Sequence, residues 1–321
     1  MGMTAIFPTN PAPLQLEAAV VGFCSLDPEA ASLPPHELYH TALACVHDIC
    51  AAVVACENSG MGRDEIVAIL EPAREIHARS PFVNRLQTWP RGYPGDFETV
   101  EYIMRGENRA EEGTLEHACE SYSLSFPIAQ QHRNKVRHQA LRLLNAMMQR
   151  PGHSRILTLA CGSAPDFASI ASLLPPIAGE IWLNDADEAA LLYTSGVLHS
   201  VAPRCHIVQG NAVKIARRLS GPFDLVLAGG LFDYLPDRVA SYLIGTVYER
   251  LIGEGGSFFF TNIARGNPYR CLIEYMGDWM LIERSEEDIL RLCRDANVPA
   301  GAVSMRYDET GLALLVDVTR A

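Results

Sequence analysis

The sequence lacks paired cysteines, long apolar runs and clustered basic residues. Its nine cysteines form no C-x-x-C pair and their number is odd, so free thiols in a reducing compartment are expected rather than a disulfide framework. No run of about 18 or more consecutive apolar residues occurs, which predicts a soluble, cytoplasmic protein that does not insert into a membrane. The net charge of −12 argues against nucleic acid as a partner, because phosphate contacts need clustered Lys and Arg.

The pattern of the 321-residue chain changes near Pro151. Residues 1–35 are rich in Pro, Ala and Leu without firm periodicity, and most of the chain from there to about residue 148 has helical spacing. Beyond Pro151, short apolar segments alternate with helical ones, which predicts a doubly wound parallel α/β sheet. The predicted strands lie near residues 155–160, 180–184, 204–208, 223–228, 256–261, 302–307 and 312–318, the last two as a hairpin. We therefore predict a helical cap over residues 1–150 and a catalytic α/β domain over residues 151–321.

The segment from Ile156 to Asp166 is the most informative part of the chain. An apolar strand runs into a tight turn at Gly162, and Asp185 ends the next predicted strand, 19 positions after Asp166. A glycine turn lets a ligand approach the backbone, and an acidic side chain at the next strand tip accepts hydrogen bonds from ribose hydroxyls. Only one glycine of the G-x-G-x-x-G pattern is present, so the sequence gives little support to a pyrophosphate-binding site. These features favour a nucleoside without phosphates, and S-adenosylmethionine (SAM) is the predicted cofactor.

Four groups of residues follow the carboxyl ends of the first four predicted strands, where open α/β sheets bind ligands. An Asp or Asn at a strand tip is alternatively the cap of the next helix. Four such groups in this order nevertheless favour a nucleoside site. The predicted cofactor-binding residues are Ala160, Gly162, Ser163, Asp185, Asn211, Ala212, Gly229 and Phe232. No metal site is predicted, since His132 and His138 are six positions apart rather than at ligand spacing.

Residues 150–321 resemble the class I SAM-dependent methyltransferases. The first motif of that family corresponds to Leu159–Ala164 and the second to Leu183–Asp185. Two positions depart from its pattern, because Asn211 replaces the usual acidic residue of the third motif and Ser163-Ala164 stands where a second glycine is common. The resemblance implies a seven-stranded, Rossmann-like methyltransferase sheet that binds SAM.

A narrower resemblance extends over roughly residues 80–321. Its motifs are Arg91–Phe97, Gly230–Pro236, Asn262–Arg270, Glu274–Trp279 and Leu281–Arg284. This set is similar to bacterial 3-hydroxy-fatty-acid methyl ester synthases and to the methyltransferase-like azetidine-2-carboxylate synthases of natural-product biosynthesis. The resemblance does not choose between the two activities.

Tyr93, Asp233 and Tyr234 are the predicted catalytic residues. Three prolines and two glycines in residues 79–96 argue against a continuous helix, so residues 79–97 are predicted to form an ordered loop or lid whose aromatic rings cover the SAM sulfonium. The alternative is a rigid turn in which Asp96 caps the helix beginning at Phe97. Asp233 alternatively caps the helix that begins at Pro236.

Two further groups of polar residues are open to two interpretations. Arg265 and Arg270 either bind a carboxylate together or lie at the surface. The segment Gln131–His138 is either a solvated helix or one that faces a pocket.

The predicted activity is methyl transfer from SAM to a small-molecule or fatty-acid carboxyl group. Such a displacement has a neutral leaving group and mainly requires positioning and exclusion of water. The alternative is a SAM cyclase, in which the α-amine attacks the γ-carbon of the same molecule to give azetidine-2-carboxylate and 5′-methylthioadenosine. A third interpretation is a catalytically idle SAM-binding or scaffold protein.

Overall fold

The computed structural model describes residues 10–321 and divides them into two compact units. The first unit contains the described residues up to Gly95, Gly106–Phe126 and Pro268–Met280. The second contains Asp96–Arg105, Pro127–Asn267 and Leu281–Ala321. This division differs from the predicted single boundary at residue 150, because the chain passes between the units several times. Residues 1–9 of the irregular N-terminal segment lie outside the described residues.

Helices make up most of the chain before the sheet. They are α1 (Ala12–Cys24), α2 (Pro35–Asn58), α3 (Arg63–His77), α4 (Pro81–Thr88), α5 (Phe97–Arg105), α6 (Leu115–Ser125) and α7 (Pro127–Gln149). Of these, α5 and α7 belong to the second unit and the others to the first. The predicted helical character of this region is confirmed.

Part of the predicted loop over residues 79–97 is helical. The hydroxyl of Ser80 accepts a hydrogen bond from the backbone N–H of Val83 at 3.2 Å, which caps α4. Pro81 occupies the first turn of that helix, where a missing N–H costs nothing. Trp89 then ends α4 in a left-handed conformation with φ 45°. The predicted loop is therefore wrong for residues 81–88, because proline is well suited to the first turn of a helix.

In the first unit, α2 is long and apolar enough to cross a membrane by length and composition alone. Core helices of soluble proteins and signal sequences also have this length and composition. Leu38, Val46, Ile49 and Val53 of α2 are buried within the protein. The expectation that the chain does not enter a membrane stays a prediction.

A segment distant in sequence completes the first unit. Residues 268–280 are held there by ion pairs, in which Arg63 and Arg74 contact Asp278 at 2.8 and 2.6 Å. Arg270 pairs with Glu57 and Glu274. Long-range ion pairs of this kind join the segment to helices more than two hundred positions earlier in the chain.

The second unit is built on one seven-stranded sheet. Its strands are β1 (Arg155–Leu159), β2 (Glu180–Asp185), β3 (Cys205–Gln209), β4 (Phe223–Ala228), β5 (Ile252–Ile263), β6 (Val303–Tyr307) and β7 (Ala313–Thr319). The order is β3-β2-β1-β4-β5-β7-β6, in which β7 alone is antiparallel to both its neighbours. The predicted doubly wound, Rossmann-like methyltransferase sheet is confirmed, including its C-terminal hairpin.

Helices cover both faces of this sheet. After β1 these are α8 (Pro165–Ser169), α9 (Leu174–Ile177), α10 (Glu188–Val197), α11 (Ala212–Arg218), α12 (Asp237–Thr246) and α13 (Glu286–Asp295). Successive strand residues point to opposite faces. Accordingly, Phe259 joins the core beneath α7 and α8, whereas Phe258 and Phe260 join the core beneath α12 and α13. Helix α7 belongs to this unit because it buries Leu143 and Met147 against the sheet.

A buried guanidinium fixes the loop that follows β4. Arg284 is 1% exposed and donates to the backbone carbonyls of Phe232 and Leu235, at 2.8 and 2.5 Å. It also donates to the side chains of Asn262 and Asp237. The Phe232 carbonyl and the Asn262 side chain are buried, so they have lost water and depend on the guanidinium for compensation.

We expect Arg284→Met to lower the free energy of unfolding by about 3–5 kcal/mol, because it leaves several acceptors without a donor. Arg291→Met is the matched control, since Arg291 also contacts Asp237 but is half-exposed. Urea unfolding followed by circular dichroism measures both. Equal, small losses for the two variants would contradict the role given to Arg284.

Candidate functional site

The turn after β1 has an uncommon backbone. Ala160, Gly162 and Ala164 have φ values of 51°, 55° and 50°, all in the left-handed region. Such conformations cost an alanine about 1 kcal/mol or more and persist only where surrounding contacts hold them. Here the backbone N–H of Cys161 donates to the Asn184 carbonyl at 2.9 Å. Strain of this kind is concentrated at functional sites, and the ligand-binding roles of Ala160 and Gly162 stay predictions.

Asp185 is joined directly to this turn. Its Oδ2 accepts a hydrogen bond from the Gly162 N–H at 2.8 Å, and its Oδ1 accepts from the Asp187 N–H at 2.9 Å. A carboxylate has about four lone-pair positions, so two remain for a ligand. The predicted neighbours Gly162 and Asp185 are therefore brought together at the carboxyl ends of β1 and β2.

Phe97 lies against the same turn within the second unit. A Cβ placed on Gly162 would be 3.5 Å from the Phe97 Cβ, and the Phe97 ring is 5.8 Å from that of Tyr193. The Asp96 carboxylate accepts from the Thr99 N–H at 2.9 Å, so Asp96 caps the following helix, as the alternative interpretation of this segment expected. Tyr93 belongs to the first unit and is partly exposed, and its catalytic role stays a prediction.

Asn211 and Ala212 follow β3. Asn211 is the cap of α11, because its side-chain oxygen accepts from the Lys214 N–H at 3.2 Å. Ala212 is buried at the first position of that helix. The cap uses the amide oxygen of Asn211 and leaves its NH2 group for a ligand, so the adenine contact stays a prediction.

The loop after β4 brings Gly229 next to α7. A Cβ on Gly229 would lie 2.4 Å from the side-chain oxygen of Gln139, which explains why this position has no side chain. Phe232 does not face a ligand, contrary to its predicted cofactor contact. Its ring is fully buried in the core and stacks on Phe260 at 4.2 Å.

Asp233 is paired within the protein. Its Oδ2 accepts from the Lys135 ammonium at 2.8 Å and its Oδ1 accepts from the Ile263 N–H at 2.6 Å. Both side chains of the ion pair are 3% exposed. Asp233 is not the cap of α12, whose capping residue Pro236 has no side-chain bond. Tyr234 is partly exposed beside it. The geometry favours a positioning role for Asp233, which holds the loop after β4 to α7.

Sequence reasoning missed the polar face of α7. Gln131, Lys135 and Gln139 are spaced four residues apart, which places them on one side of the helix, and all three are buried. Of the two interpretations of Gln131–His138, the solvated helix is therefore wrong, because the segment is largely buried. The four-residue spacing of these side chains was the available signal.

Several buried polar side chains of the second unit have atoms without a hydrogen-bond partner among the described residues. They include both amide atoms of Gln131, the hydroxyls of Ser154, Thr158 and Ser163, Oδ2 of Asp166 and the side-chain oxygen of Asn184. Buried polar atoms are nearly always paired in folded proteins, so such groups call for a ligand or an ordered water. Of these, Ser163 lies in the turn after β1, and Asp166 is the second residue of α8, which follows that turn.

Asp166 is a buried carboxyl group next to the glycine turn. Burial raises its pKa from 3.8 to about 6, although hydrogen bonds from the backbone N–H groups of Phe167 and Asp166 act to lower it. Burial also raises the pKa of the Cys161 thiol well above its ordinary value, and the carboxylates of Asp185 and Asp166 raise it further. Cys161 is therefore a neutral thiol, as expected for a small residue in such a turn.

Arg265 and Arg270, for which carboxylate binding was one of two interpretations, fall in different units, and each is paired within its own unit. Arg265 pairs with Asp288 at 2.6 Å in the second unit, and Arg270 is paired with acidic groups in the first. Among the described residues, no group of three or more His, Cys, Asp or Glu side chains is arranged to hold a metal ion.

No protein-family model and no curated protein sequence matches the chain. Among solved structures, the chain is similar to a Bordetella parapertussis protein described as a possible exported protein. The two chains are 13% identical with a TM-score of 0.56, and the match covers 98% of this chain and 99% of that one. At this identity the similarity shows the fold alone.

Two more solved structures are similar to the chain at lower scores. The magnesium protoporphyrin IX methyltransferase of Synechocystis with bound SAH (S-adenosylhomocysteine) is 12% identical, with a TM-score of 0.49 over 69% of this chain and 93% of that one. An O-methyltransferase family protein of Burkholderia thailandensis is 18% identical, with a TM-score of 0.44 over 83% and 87%. TM-scores below 0.5 do not by themselves indicate a shared fold.

We expect Asp166→Asn to stabilise the ligand-free protein above about pH 6 by roughly 1–3 kcal/mol. A carboxyl whose folded pKa exceeds its unfolded pKa binds more protons in the folded state, so stability falls as the pH rises from about 4 to about 6. The amide cannot ionise, which removes this loss. Urea unfolding between pH 4 and 8 measures it, and curves that differ equally at every pH would contradict the raised pKa.

Proposed function

We propose that the protein is a SAM-dependent transferase of the class I methyltransferase type. The observation that carries this proposal is the hydrogen bond between the Gly162 N–H and the Asp185 carboxylate, which joins a strained turn to an acidic strand tip. This arrangement suits a nucleoside, because the turn admits the ligand and the carboxylate accepts from ribose hydroxyls. The resemblance of the sequence to methyltransferase motifs supports the same ligand.

The residues of the second unit fit SAM. Asp185 would bind the ribose and Asn211 would offer its NH2 group to the adenine. The unpartnered groups of Ser163 and Asp166 would face the methionine arm, and Phe97 would close the turn from the other side. SAM supplies an electrophilic methyl carbon on a sulfonium, so the protein has to position the acceptor and exclude water.

The proposed acceptor is a carboxyl group of a small molecule or fatty acid. A carboxylate is already ionised at neutral pH, so its methylation needs no strong general base. The Lys135–Asp233 pair would fix the loop after β4, and Tyr234 would contact the acceptor from that loop. The proposed location is the cytoplasm, with no nucleic-acid partner, consistent with the net charge of −12.

The second candidate function is a SAM cyclase of natural-product biosynthesis. Cyclisation requires the α-amine of SAM to lose a proton before it attacks the γ-carbon. Asp166 favours this candidate, because it is a buried carboxyl at the start of α8 with a free oxygen and a pKa of about 6. A carboxylate with that pKa can accept the proton at neutral pH.

The two functions are separated by incubating the purified protein with SAM alone and identifying the products by mass spectrometry. Azetidine-2-carboxylate and 5′-methylthioadenosine above the spontaneous background would establish the cyclase. Intact SAM would favour methyl transfer, for which release of SAH would then be measured with a series of acyl carboxylates. Neither product under any of these conditions would contradict both candidates.

We expect Asp185→Ala to weaken SAM binding by about tenfold or more, because it removes the ribose acceptor and the partner of the Gly162 N–H. Asp224→Ala is the matched control. Asp224 also accepts a backbone N–H, from Arg155 at 2.7 Å, but at the amino ends of the strands, away from the site. Isothermal titration calorimetry measures both affinities, and equal affinities for the two variants would exclude Asp185 from the site.

A further inference from the structure

Gln131 is a fully buried amide on α7. Neither its side-chain oxygen nor its nitrogen has a hydrogen-bond partner within residues 10–321. No other residue in that range has two buried side-chain atoms left without a partner. Buried polar atoms are nearly always paired, because an amide that loses water without a partner costs folding free energy. The amide therefore calls for a ligand or an ordered water, and its neighbours on the helix decide between them.

The next residue on the same side of α7 is a charged donor. Lys135 lies four positions after Gln131, and its side chain is 3% exposed. Its ammonium has three N–H donors, and within the described residues it pairs only with Asp233, at 2.8 Å. Two N–H donors of Lys135 are therefore left on the side of the helix that carries the Gln131 amide. Ammonium and amide donors gathered in a buried place suit a ligand with more than one acceptor oxygen.

These donors lie at the end of the sheet where open α/β sheets bind ligands. Gln139, on the same side of α7, lies against Gly229 directly after β4, and Lys135 reaches Asp233 four residues further along that loop. The polar side of α7 therefore runs outward from the strand end toward the amino end of the helix. Gln131 is one helical turn beyond Lys135, about 6 Å further out. A molecule that enters beside the loop after β4 meets this side of the helix.

A carboxylate matches these donors in shape and charge. It has two oxygens with about four lone-pair positions, so it can accept from the ammonium and the amide at once. A charged acceptor also makes a stronger hydrogen bond to an ammonium than a neutral one does. Asp233 already shares the charge of Lys135, so the sulfonium of SAM balances the single charge of the carboxylate. A phosphate dianion would bring a second negative charge that nothing in this arrangement balances.

We propose that Gln131 and Lys135 hold the carboxylate of the acceptor, so that α7 determines which acceptors the enzyme methylates. This inference deepens the proposed methyl transfer and depends on it. The amide of Gln131 and the ammonium of Lys135 donate to the carboxylate, while Lys135 keeps its bond to Asp233. A carboxylate oxygen then forms a bond to the methyl carbon. The bond from that carbon to sulfur breaks, its electron pair stays on the sulfur of neutral SAH, and no proton is released.

An apolar side chain in place of the amide separates binding from folding. Gln131→Leu keeps a similar volume and removes both unpaired atoms, so we expect the ligand-free variant to unfold at the wild-type temperature or above it. An amide needed for the fold itself would instead give a lower Tm on removal. Gln149→Leu is the matched control, because Gln149 is the exposed last residue of α7. Thermal unfolding followed by circular dichroism compares the three proteins.

Isothermal titration calorimetry of the full chain, saturated with SAH, measures acceptor binding. The probes are butyrate, octanoate and dodecanoate, together with the primary amide of the one that binds most tightly. We expect the wild type to prefer the carboxylate to its amide by about tenfold or more, because only the carboxylate is charged. Gln131→Leu should weaken carboxylate binding by about ten- to a hundredfold and leave SAH affinity within about twofold. Gln149→Leu should change neither affinity.

Four results would overturn the proposal. Unchanged carboxylate affinity in Gln131→Leu would show that the amide binds only water. Equal binding of carboxylate and amide by the wild type would exclude the charge of Lys135 from the contact. An equal loss of SAH affinity in Gln131→Leu would place the amide in the SAM site instead. Wild-type protein that binds SAH but none of the carboxylates overturns this inference alone, whereas failure to bind SAH overturns the proposed SAM site as well.

Discussion

The parallel pairing of β1 with β2 is the constraint on which the candidate site depends. Leu159 pairs with Asn184 at the end of the shared register, so the turn after β1 and the tip of β2 meet at one edge of the sheet. The Gly162 N–H then reaches the Asp185 carboxylate, and the Cys161 N–H reaches the Asn184 carbonyl. These contacts hold three left-handed residues in place. A shift of one residue in the register would separate the Gly162 N–H from the Asp185 carboxylate.

Helix α7 is the second organising element of the sheet unit. One side of the helix buries apolar residues such as Leu143 and Met147 against the sheet, as an amphipathic helix should. Another side brings Lys135 to Asp233 and Gln139 to Gly229. A buried ion pair stabilises a fold little relative to apolar packing, but it fixes a geometry, because either charge alone would be left unpaired. The loop after β4 is held from α7 by this pair and from its other side by Arg284.

The helical unit depends on contacts between distant parts of the chain. Residues 268–280 leave the sheet unit after β5 and join α2 and α3 through ion pairs of Arg63, Arg74 and Arg270. The narrower family resemblance falls partly on this segment, since Glu274–Trp279 is one of its motifs. Arg270 and Glu274 therefore have a structural explanation, as members of an ion-pair cluster with Glu57.

The sequence by itself determined the sheet, the glycine turn and the position of Asp185. Strand periodicity, turn chemistry and the order of strands and helices are local properties of the sequence. They predict secondary structure without knowledge of which side chains contact one another in the folded protein. Proline content predicted the local structure less well, because Pro81 lies in the first turn of α4 rather than in a loop. Only the tertiary structure decided that α7 belongs to the sheet unit, that Phe232 lies in the core and that Asp233 is paired with Lys135, 98 positions away. It also decided that Asp166 is buried with a free oxygen. Burial and pairing arise from which residues pack together, and that depends on the whole chain rather than on any segment of it.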